Sequence, residues 1–460
     1  MAKKSKTVFV CQECGYESPK WQGKCICGAW NSMVEEKLID DTMNIDSRSR
    51  TIGESKGAPA KALHLSEIKS GAFARFDTGI AELNRVLGGG LVRGSLVLIS
   101  GEPGIGKSTL IIQAAANISE KYGKVLYISG EESEEQIKMR ADRVCSANTE
   151  NLLIASETNM ENISDLVEKE NPTFLIIDSI QTMYTQLMES APGSVSQVRA
   201  CGNELMKIGK VRNIPIFIVA HVNKNGDLAG PKIVEHLVDC VLSFSGERSL
   251  EIRILRALKN RFGTTSEIGA FEMCEAGLCE IENLSRAFLE GMEEEAQGAV
   301  ATAVYEGTRP LLLEIQALTA RTNTGFPRRS SIGMDLNRLN MLIAVLERKA
   351  NLNLTDKDVY INIVGGMKPD STSIDLAAAI AIYSSLKGAA CSAKMLAIGE
   401  IGLTGDLRAV RNAEKIVSEA ARLGFDMVLL PEKNADIKDA GKLKLVGVKN
   451  VKQAIAYISK

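Results

Sequence analysis

An α/β fold, with a parallel sheet covered by helices on both faces, is predicted for residues 64–285 by three observations. Five short apolar runs, SLVLIS, KVLYIS, NLLIAS, TFLIIDSI and IPIFIVA, alternate with amphipathic stretches such as NISDLVEKE and VSQVRACGNELMKIG. Strands buried on both faces read as unbroken apolar runs, and the helices between them make the crossovers that parallel neighbours require. The first run leads straight into GEPGIGKST and a helical pattern, KSTLIIQAAANISEKYG. In a later run, FLIIDSI, the apolar stretch closes on an acid, Asp178.

The chain of 460 residues is long enough for roughly two to four domains. Its hydrophobic content of 45%, charged content of 24% and net charge of -2 indicate no overall bias toward polyanions or membranes, so nucleic-acid binding has to be local. The basic start MAKKSKTVFV meets Cys11 and Gln12 without an apolar core, and no run of 18 apolar residues occurs. A cytoplasmic location with no membrane contact is expected. Residues 1–33 hold four clustered cysteines and both tryptophans; residues 34–63 are polar and read as a linker. Residues 286–297 read as a second linker. Residues 298–460, with RPLLLEIQAL, VYINIVG and MVLLP among helical patterns, read as a separate α/β domain.

GEPGIGKST spans Gly101, Glu102, Pro103, Gly104, Ile105, Gly106, Lys107, Ser108 and Thr109. Glycines let backbone N–H groups turn inward around phosphate oxygens, and the following helix adds the positive end of its dipole. Lys107 is placed to reach the β- and γ-phosphates of ATP and Ser108 a Mg²⁺ ion. Asp178, at a strand end, suits a carboxylate that orients the magnesium through water. Hydrolysis also needs a group that positions the attacking water; SGEES offers Glu131, with Glu132 as the competing candidate, at the sheet edge where ligands of open α/β folds lie. Near the amino terminus, Cys11-x2-Cys14 and Cys25-x-Cys27 each end in a glycine. Four thiolates suit a tetrahedral Zn²⁺ site, and a 33-residue segment with little apolar content needs such a staple.

Taken together, FDTGIAELNRVLGGGLVRGSLVLISGEPGIGKSTL, SGEES, LIIDSI and LKNRFG, behind a cysteine cluster and ahead of a second α/β domain, resemble the RadA (Sms) DNA-repair ATPases of bacteria over essentially the whole chain. The resemblance implies a RecA-like P-loop ATPase core, an N-terminal zinc-ribbon-like module, and a homo-hexameric ring. It implies branch migration on single-stranded DNA and branched recombination intermediates, alongside a RecA-type recombinase. The KNRFG motif falls on Lys259, Asn260, Arg261, Phe262 and Gly263, where Lys259 and Arg261 suit a cation inserted into the neighbouring subunit's site. His221 stands where RecA-like ATPases sense the γ-phosphate. Arg199, from the loop TQLMESAPGSVSQVR, and Lys224 and Lys232, from NKNGDLAGPK, are candidate DNA contacts. One departure is Cys25-x-Cys27, a residue shorter than the second pair usual in the family.

GGMKPDSTSIDLAAAI and AIGEIGLTGDLRAVRNAEKIVSEAARLGFDMVLLP resemble the proteolytic domain of Lon, which uses a Ser-Lys dyad. Ser373 falls near the nucleophile, beside Ile374 and Asp375 in place of small residues. The lysine position falls on Glu414, with Lys415 on another helix face. A glutamate cannot act on serine as a neutral amine does. The domain is therefore expected to be a non-proteolytic scaffold, with Ser373 as a helix cap. The alternatives are an ATP-dependent Lon-type protease and a clock-type nucleotide-gated switch.

Overall fold

The computed structural model describes residues 6–11, 16–38, 64, 75–145, 148–221, 233–246, 252–293, 295–322, 325–369, 371–437 and 440–458. It divides into two compact units, Met1–Gly246 with Arg253–Glu280, and Glu247–Ile252 with Ile281–Lys460.

The amino-terminal module is a three-stranded antiparallel sheet of β1 (Lys6–Cys11), β2 (Glu17–Ser18) and β3 (Met33–Leu38), in the order β2-β1-β3. β3 takes in the first residues of the segment expected as a linker, because VEEKL continues the pairing with β1 as far as Lys6↔Leu38. Of the rest of residues 34–63, none lies within the described residues.

The core of the first unit is built from α1 (Ala81–Leu87), β4 (Leu96–Gly101), α2 (Lys107–Tyr122), β5 (Val125–Ser129), α3 (Glu134–Val144), β6 (Leu152–Ser156), α4 (Met160–Glu170) and β7 (Phe174–Asp178). It continues through α5 (Val195–Arg212), β8 (Ile216–His221), α6 (Ile233–Leu237), β9 (Cys240–Gly246), β10 (Ile252–Asn260), β11 (Ile268–Cys274) and β12 (Gly277–Glu280). The strand order is β12-β11-β10-β9-β4-β8-β7-β5-β6. β4, β8, β7, β5 and β6 are parallel, as the five apolar runs predict, and β9, which none of those runs marks, is parallel to β4 as well. β10 returns antiparallel along β9, an extension that the sequence reading lacked.

Alternation along the strands decides which face each residue serves. Val97, Ile99, Tyr127, Ile176, Phe217 and Val219 pack with α1, α2 and α3; Leu98, Leu126, Ile128, Leu175, Ile177 and Ile218 pack with α4 and α5. Both faces are thus closed to water, which leaves the two ends of the parallel strands, carboxyl and amino, as the accessible edges.

The second unit carries α7 (Leu284–Leu289) and a seven-stranded sheet of β13 (Ala299–Glu306), β14 (Arg309–Arg321), β15 (Arg329–Ile332), β16 (Lys357–Ile363), β17 (Met395–Ala397), β18 (Met427–Pro431) and β19 (Lys444–Val448). Its order is β15-β16-β14-β13-β17-β18-β19. The expected linker 286–297 contains most of α7 and a short strand, Glu295–Gln297, paired with Ala390–Ser392. Helices α8 (Leu336–Ala350), α9 (Asp375–Lys387), α10 (Ala413–Arg422) and α11 (Val451–Ile458) complete the unit. Every residue of α9 from Asp375 to Ser384 is buried, as its near-continuous apolar sequence requires. Among the described residues, no helix is long and apolar enough to cross a membrane.

Candidate nucleotide site and metal centre

The phosphate-loop sequence joins β4 to α2. Gly101 (φ 158°) approaches so closely that a Cβ there would lie 2.5 Å from the Phe244 carbonyl oxygen. Gly106, the residue before α2, has φ 112° and offers no side-chain cap, so the first N–H groups of α2 are left for an anionic ligand. Glu102, Pro103 and Gly104 are exposed, Ile105 is buried, and Ser108 and Thr109 are half-buried in the first turn. Lys107 is buried and donates from Nζ to the carbonyls of Gly101 (2.8 Å) and Glu102 (3.0 Å).

The sheet register brings three further predicted residues to this edge. β8 pairs His221 with Gly101, and β5 pairs Ser129 with Asp178, so the strand ends stand in one row. Asp178 Oδ2 accepts from Tyr127 Oη at 2.5 Å. Glu131 Oε1 accepts from Ser179 Oγ at 2.5 Å and lies 3.4 Å from His221 Nε2. The Glu131 side chain is 43% exposed, open to a bound water. Glu132, the competing candidate, is instead engaged by the Arg140 guanidinium. Among the described residues, His221 Nδ1 is buried without a hydrogen-bond partner.

Burial pushes the Lys107 ammonium down from 10.5 to about 8, against the opposing pull of Asp178 and Glu131. Phosphate oxygens favour the protonated form, so above pH 8 a nucleotide must bring a proton with it. Nucleotide affinity is therefore expected to be flat below about pH 8 and to fall as pH rises through that value. Calorimetry near pH 9 in buffers of differing ionisation heat should register proton uptake; a flat affinity to higher pH would show that Lys107 keeps its charge in the empty loop.

KNRFG lies at the other edge of the same sheet. Lys259 pairs with Val241, and Val241 with Leu98; Arg261 N donates to Asp239 O, whose own N–H donates to Leu96 O. From Leu96 to Gly101 the strand advances about 17 Å. Lys259 is half-buried and donates to the carbonyls of Glu235 (2.7 Å), Val238 (2.8 Å) and His236 (3.4 Å), at the carboxyl end of α6. Burial, followed by repulsion from Arg261, lowers its pKa. Arg261 is more open, 57% exposed, and its Nη1 donates to Asp239 Oδ1 at 3.3 Å. Asn260 Nδ2 donates to Val86 O, and Arg75 Nη2 to Phe262 O. Gly263 packs so tightly on Gly88 that a Cβ would stand 3.1 Å from its Cα.

Of the candidate DNA contacts, Arg199 is exposed in the second turn of α5 and not in the preceding loop. Lys224 and Lys232 lie outside the described residues.

In the amino-terminal module the thiols of Cys11, Cys25 and Cys27 lie within 4.8 Å of one another, and Cys11 Sγ is 3.8 Å from Cys27 Sγ. A zinc ion with bonds of about 2.3 Å to tetrahedral thiolates sets its sulfurs about 3.8 Å apart. The shortened pair thus places both of its thiols in the cluster, and the donor set fits zinc. Cys14 lies outside the described residues. Ser32 Oγ stands 3.1 Å from Cys11 Sγ, an outer-shell contact of the kind that orients a ligand.

In the second unit, the cap assignment for Ser373 is corrected. Ser371 caps the turn, its hydroxyl accepting from Ser373 N, while Ser373 Oγ is buried and donates to Ala303 O at 3.0 Å. Asp375 is fully buried and engaged by Arg338, and its Oδ2 accepts from Ile401 N. Glu414 is exposed; Lys415 Nζ donates to Tyr305 Oη at 2.7 Å. The serine proton is therefore committed to the sheet backbone and the neighbouring lysine to a phenol.

Sequence reasoning missed Tyr127, Ser179, Arg140 and Asp239. Tyr127 left a signal: a tyrosine inside an apolar strand needs a partner for its hydroxyl, and Asp178 was the acid ending a candidate neighbour strand.

Residues 62–227 match the family profile described as AAA domain, residues 335–434 that of subunit ChlI of Mg-chelatase, and residues 9–35 that of a rubredoxin metal binding domain. A solved KaiC-like protein from Pyrococcus horikoshii OT3 is similar at 20% identity and a TM-score of 0.39, covering 45% of this chain and 99% of its own. The chain is 50% identical over 455 residues to the DNA repair protein RadA of Bacillus subtilis (strain 168), covering 98% of both chains. It is 48% identical to the RadA of Halalkalibacterium halodurans and 46% to that of Listeria monocytogenes, covering 99% of each chain in both cases. These alignments span the cysteine module, the P-loop ATPase core of RecA type and the Lon-like second unit, and the chain belongs to the RadA family of DNA repair proteins.

Proposed function

We propose that this chain is a DNA-dependent ATPase of recombinational repair. It acts in the cytoplasm as a homo-hexameric ring that drives branch migration on single-stranded DNA with a RecA-type recombinase. The observation that carries the reading is the separation of the two predicted sets of groups. Lys107, Glu131, Asp178 and His221 share the carboxyl edge of the sheet, while Lys259 and Arg261 stand at the amino edge. Cations so placed cannot serve their own phosphate loop, but in a head-to-tail ring they face the neighbour's. The names of the RadA relatives support the role in DNA repair.

In this reading the phosphate loop, Gly101 to Thr109, cradles ATP, and Lys107 leaves its carbonyl partners for the β- and γ-phosphates. Ser108 and Asp178 hold Mg²⁺, a hydroxyl and a carboxylate suited to that ion; bound magnesium neutralises charge on the β- and γ-oxygens. Glu131 orients the attacking water. His221, 3.4 Å from Glu131, reports the γ-phosphate to the chain that follows it, and Arg199, Lys224 and Lys232 contact DNA phosphates. Cys11, Cys14, Cys25 and Cys27 hold a structural zinc ion.

The test is ATP turnover with and without single-stranded DNA, on material whose ring size has been measured. The rate is expected to rise with DNA and the stimulation to weaken with salt. A rate indifferent to DNA would favour a nucleotide-gated switch; full-rate turnover by isolated monomers would remove the shared site.

A further inference from the structure

Both tryptophans of the chain, Trp21 and Trp30, lie in the cysteine module, and both face solvent, at 56% and 71% exposure. Tryptophan is on average a well-buried residue, so two open indoles within ten residues call for an occupant. Their positions are defined by local structure. The Gly23 backbone runs beneath the edge of Trp21, where a Cβ would meet its ring at 3.5 Å. Lys24 and Trp30 face each other across an antiparallel bridge, and the Lys24 ammonium lies 5.3 Å from the Trp30 ring centroid. One side of that ring is thus held by a cation, while most of its surface remains open.

Charge decides what the surface fits. Residues 1–38, the module as far as the end of β3, contain six lysines against four glutamates and no other charged residue, in a chain whose net charge is -2. Lys20 and Lys24 flank Trp21 and are exposed. The centre of a protein–protein interface is depleted of charge, whereas ammonium groups beside the rings suit a polyanion. Flat π faces interleaved with cations are the chemistry that takes unpaired bases on a phosphate chain: each base stacks and each phosphate finds an ammonium.

We propose that Trp21 and Trp30 form a stacking platform through which the cysteine module binds single-stranded nucleic acid, in addition to the contacts of the ATPase unit. The choice of ligand rests on the reading of the chain as a DNA-dependent ATPase.

Because both tryptophans are here, the tryptophan emission of the full-length, zinc-loaded protein, excited at wavelengths that tyrosine does not absorb, reports on this module alone. It is titrated with oligothymidylate longer than about 16 nucleotides, and with an abasic deoxyribose-phosphate chain of equal length. ATP turnover is read in the same samples. Oligothymidylate is expected to quench the emission and the abasic chain to leave it nearly unchanged. Equal quenching by both would reduce the contact to charge and overturn the stacking. Unchanged emission with stimulated turnover would overturn this inference and leave the ATPase reading intact; quenching without stimulation would do the reverse. Emission that responds to a RecA-type filament and not to DNA would assign the surface to a protein and overturn the proposal.

Trp30→Ala, followed by the emission of Trp21, is expected to weaken oligothymidylate binding about five-fold or more, and Trp30→Phe to restore most of it. Zinc content equal to that of the parent shows that the module is folded. Unaltered affinity in a zinc-replete Trp30→Ala protein would defeat the idea.

Discussion

Glu131→Gln turns over ATP about a thousand-fold more slowly than the parent while binding it almost as well. The geometry makes this substitution a clean one. Glu131 touches the rest of the site through Ser179 Oγ, which donates to it, and through His221 Nε2. A glutamine oxygen accepts the same bond from Ser179, so the side chain stays in place and loses only its charge. Lys107 and the uncapped start of α2 are untouched, and these are the groups assigned to hold the phosphates. Nucleotide affinity measured beside single-turnover hydrolysis separates the two effects. Glu132→Gln should be far milder, because its carboxylate is engaged by Arg140. The opposite ranking would transfer the role to Glu132.

On the proposed ring, Lys259→Ala is likewise expected to lower turnover by about a thousand-fold, the scale of a cation supplied in trans. Unlike Glu131, Lys259 also has a structural duty, because its ammonium closes three carbonyls at the end of α6. Loss of activity alone is therefore ambiguous. Mixing resolves it. In rings assembled from equal parts of Lys107→Ala and Lys259→Ala subunits, about a quarter of the interfaces join an intact phosphate loop to an intact Lys259 by random assortment. Activity should return toward that fraction from two nearly inactive parents. Rings shown to mix but still inactive would leave Lys259 with its α6 contact alone. Arg261→Ala, which among the described residues removes a side-chain contact to the buried Asp239 and leaves the α6 carbonyls to Lys259, should lose turnover without loosening α6.

What the sequence made legible follows from range. The parallel strands were readable because residues buried on both sides must be apolar throughout, and SLVLIS and TFLIIDSI allow no other placement. The phosphate loop was readable because its glycines, lysine and hydroxyl act within one turn of chain. The site's second layer was not. Tyr127 and Asp178 are 51 residues apart and meet only because β5 lies beside β7. The far-edge position of KNRFG depends on β10 running back along β9, and the run EIRILRALKN carries no mark of its direction. Ser373 was mistaken for a cap because Ser371, Thr372 and Ser373 are equivalent on paper. Only the carbonyl of Ala303, 70 residues away, distinguishes the third of them.

Asp239 gives β4 a second meaning. Buried, it accepts from Leu96 N at 3.1 Å and from Lys210 Nζ at 2.9 Å, and through its other oxygen it holds Arg261. One six-residue strand is thereby pinned at its start to the cation that a ring would offer outward, and at its finish to the cradle for its own ligand. Such a strand is stiff along its axis and has no hinge to absorb a push. In the proposed ring, occupancy at one face would reach the other as a shift of a single rigid rod, which would couple neighbouring sites.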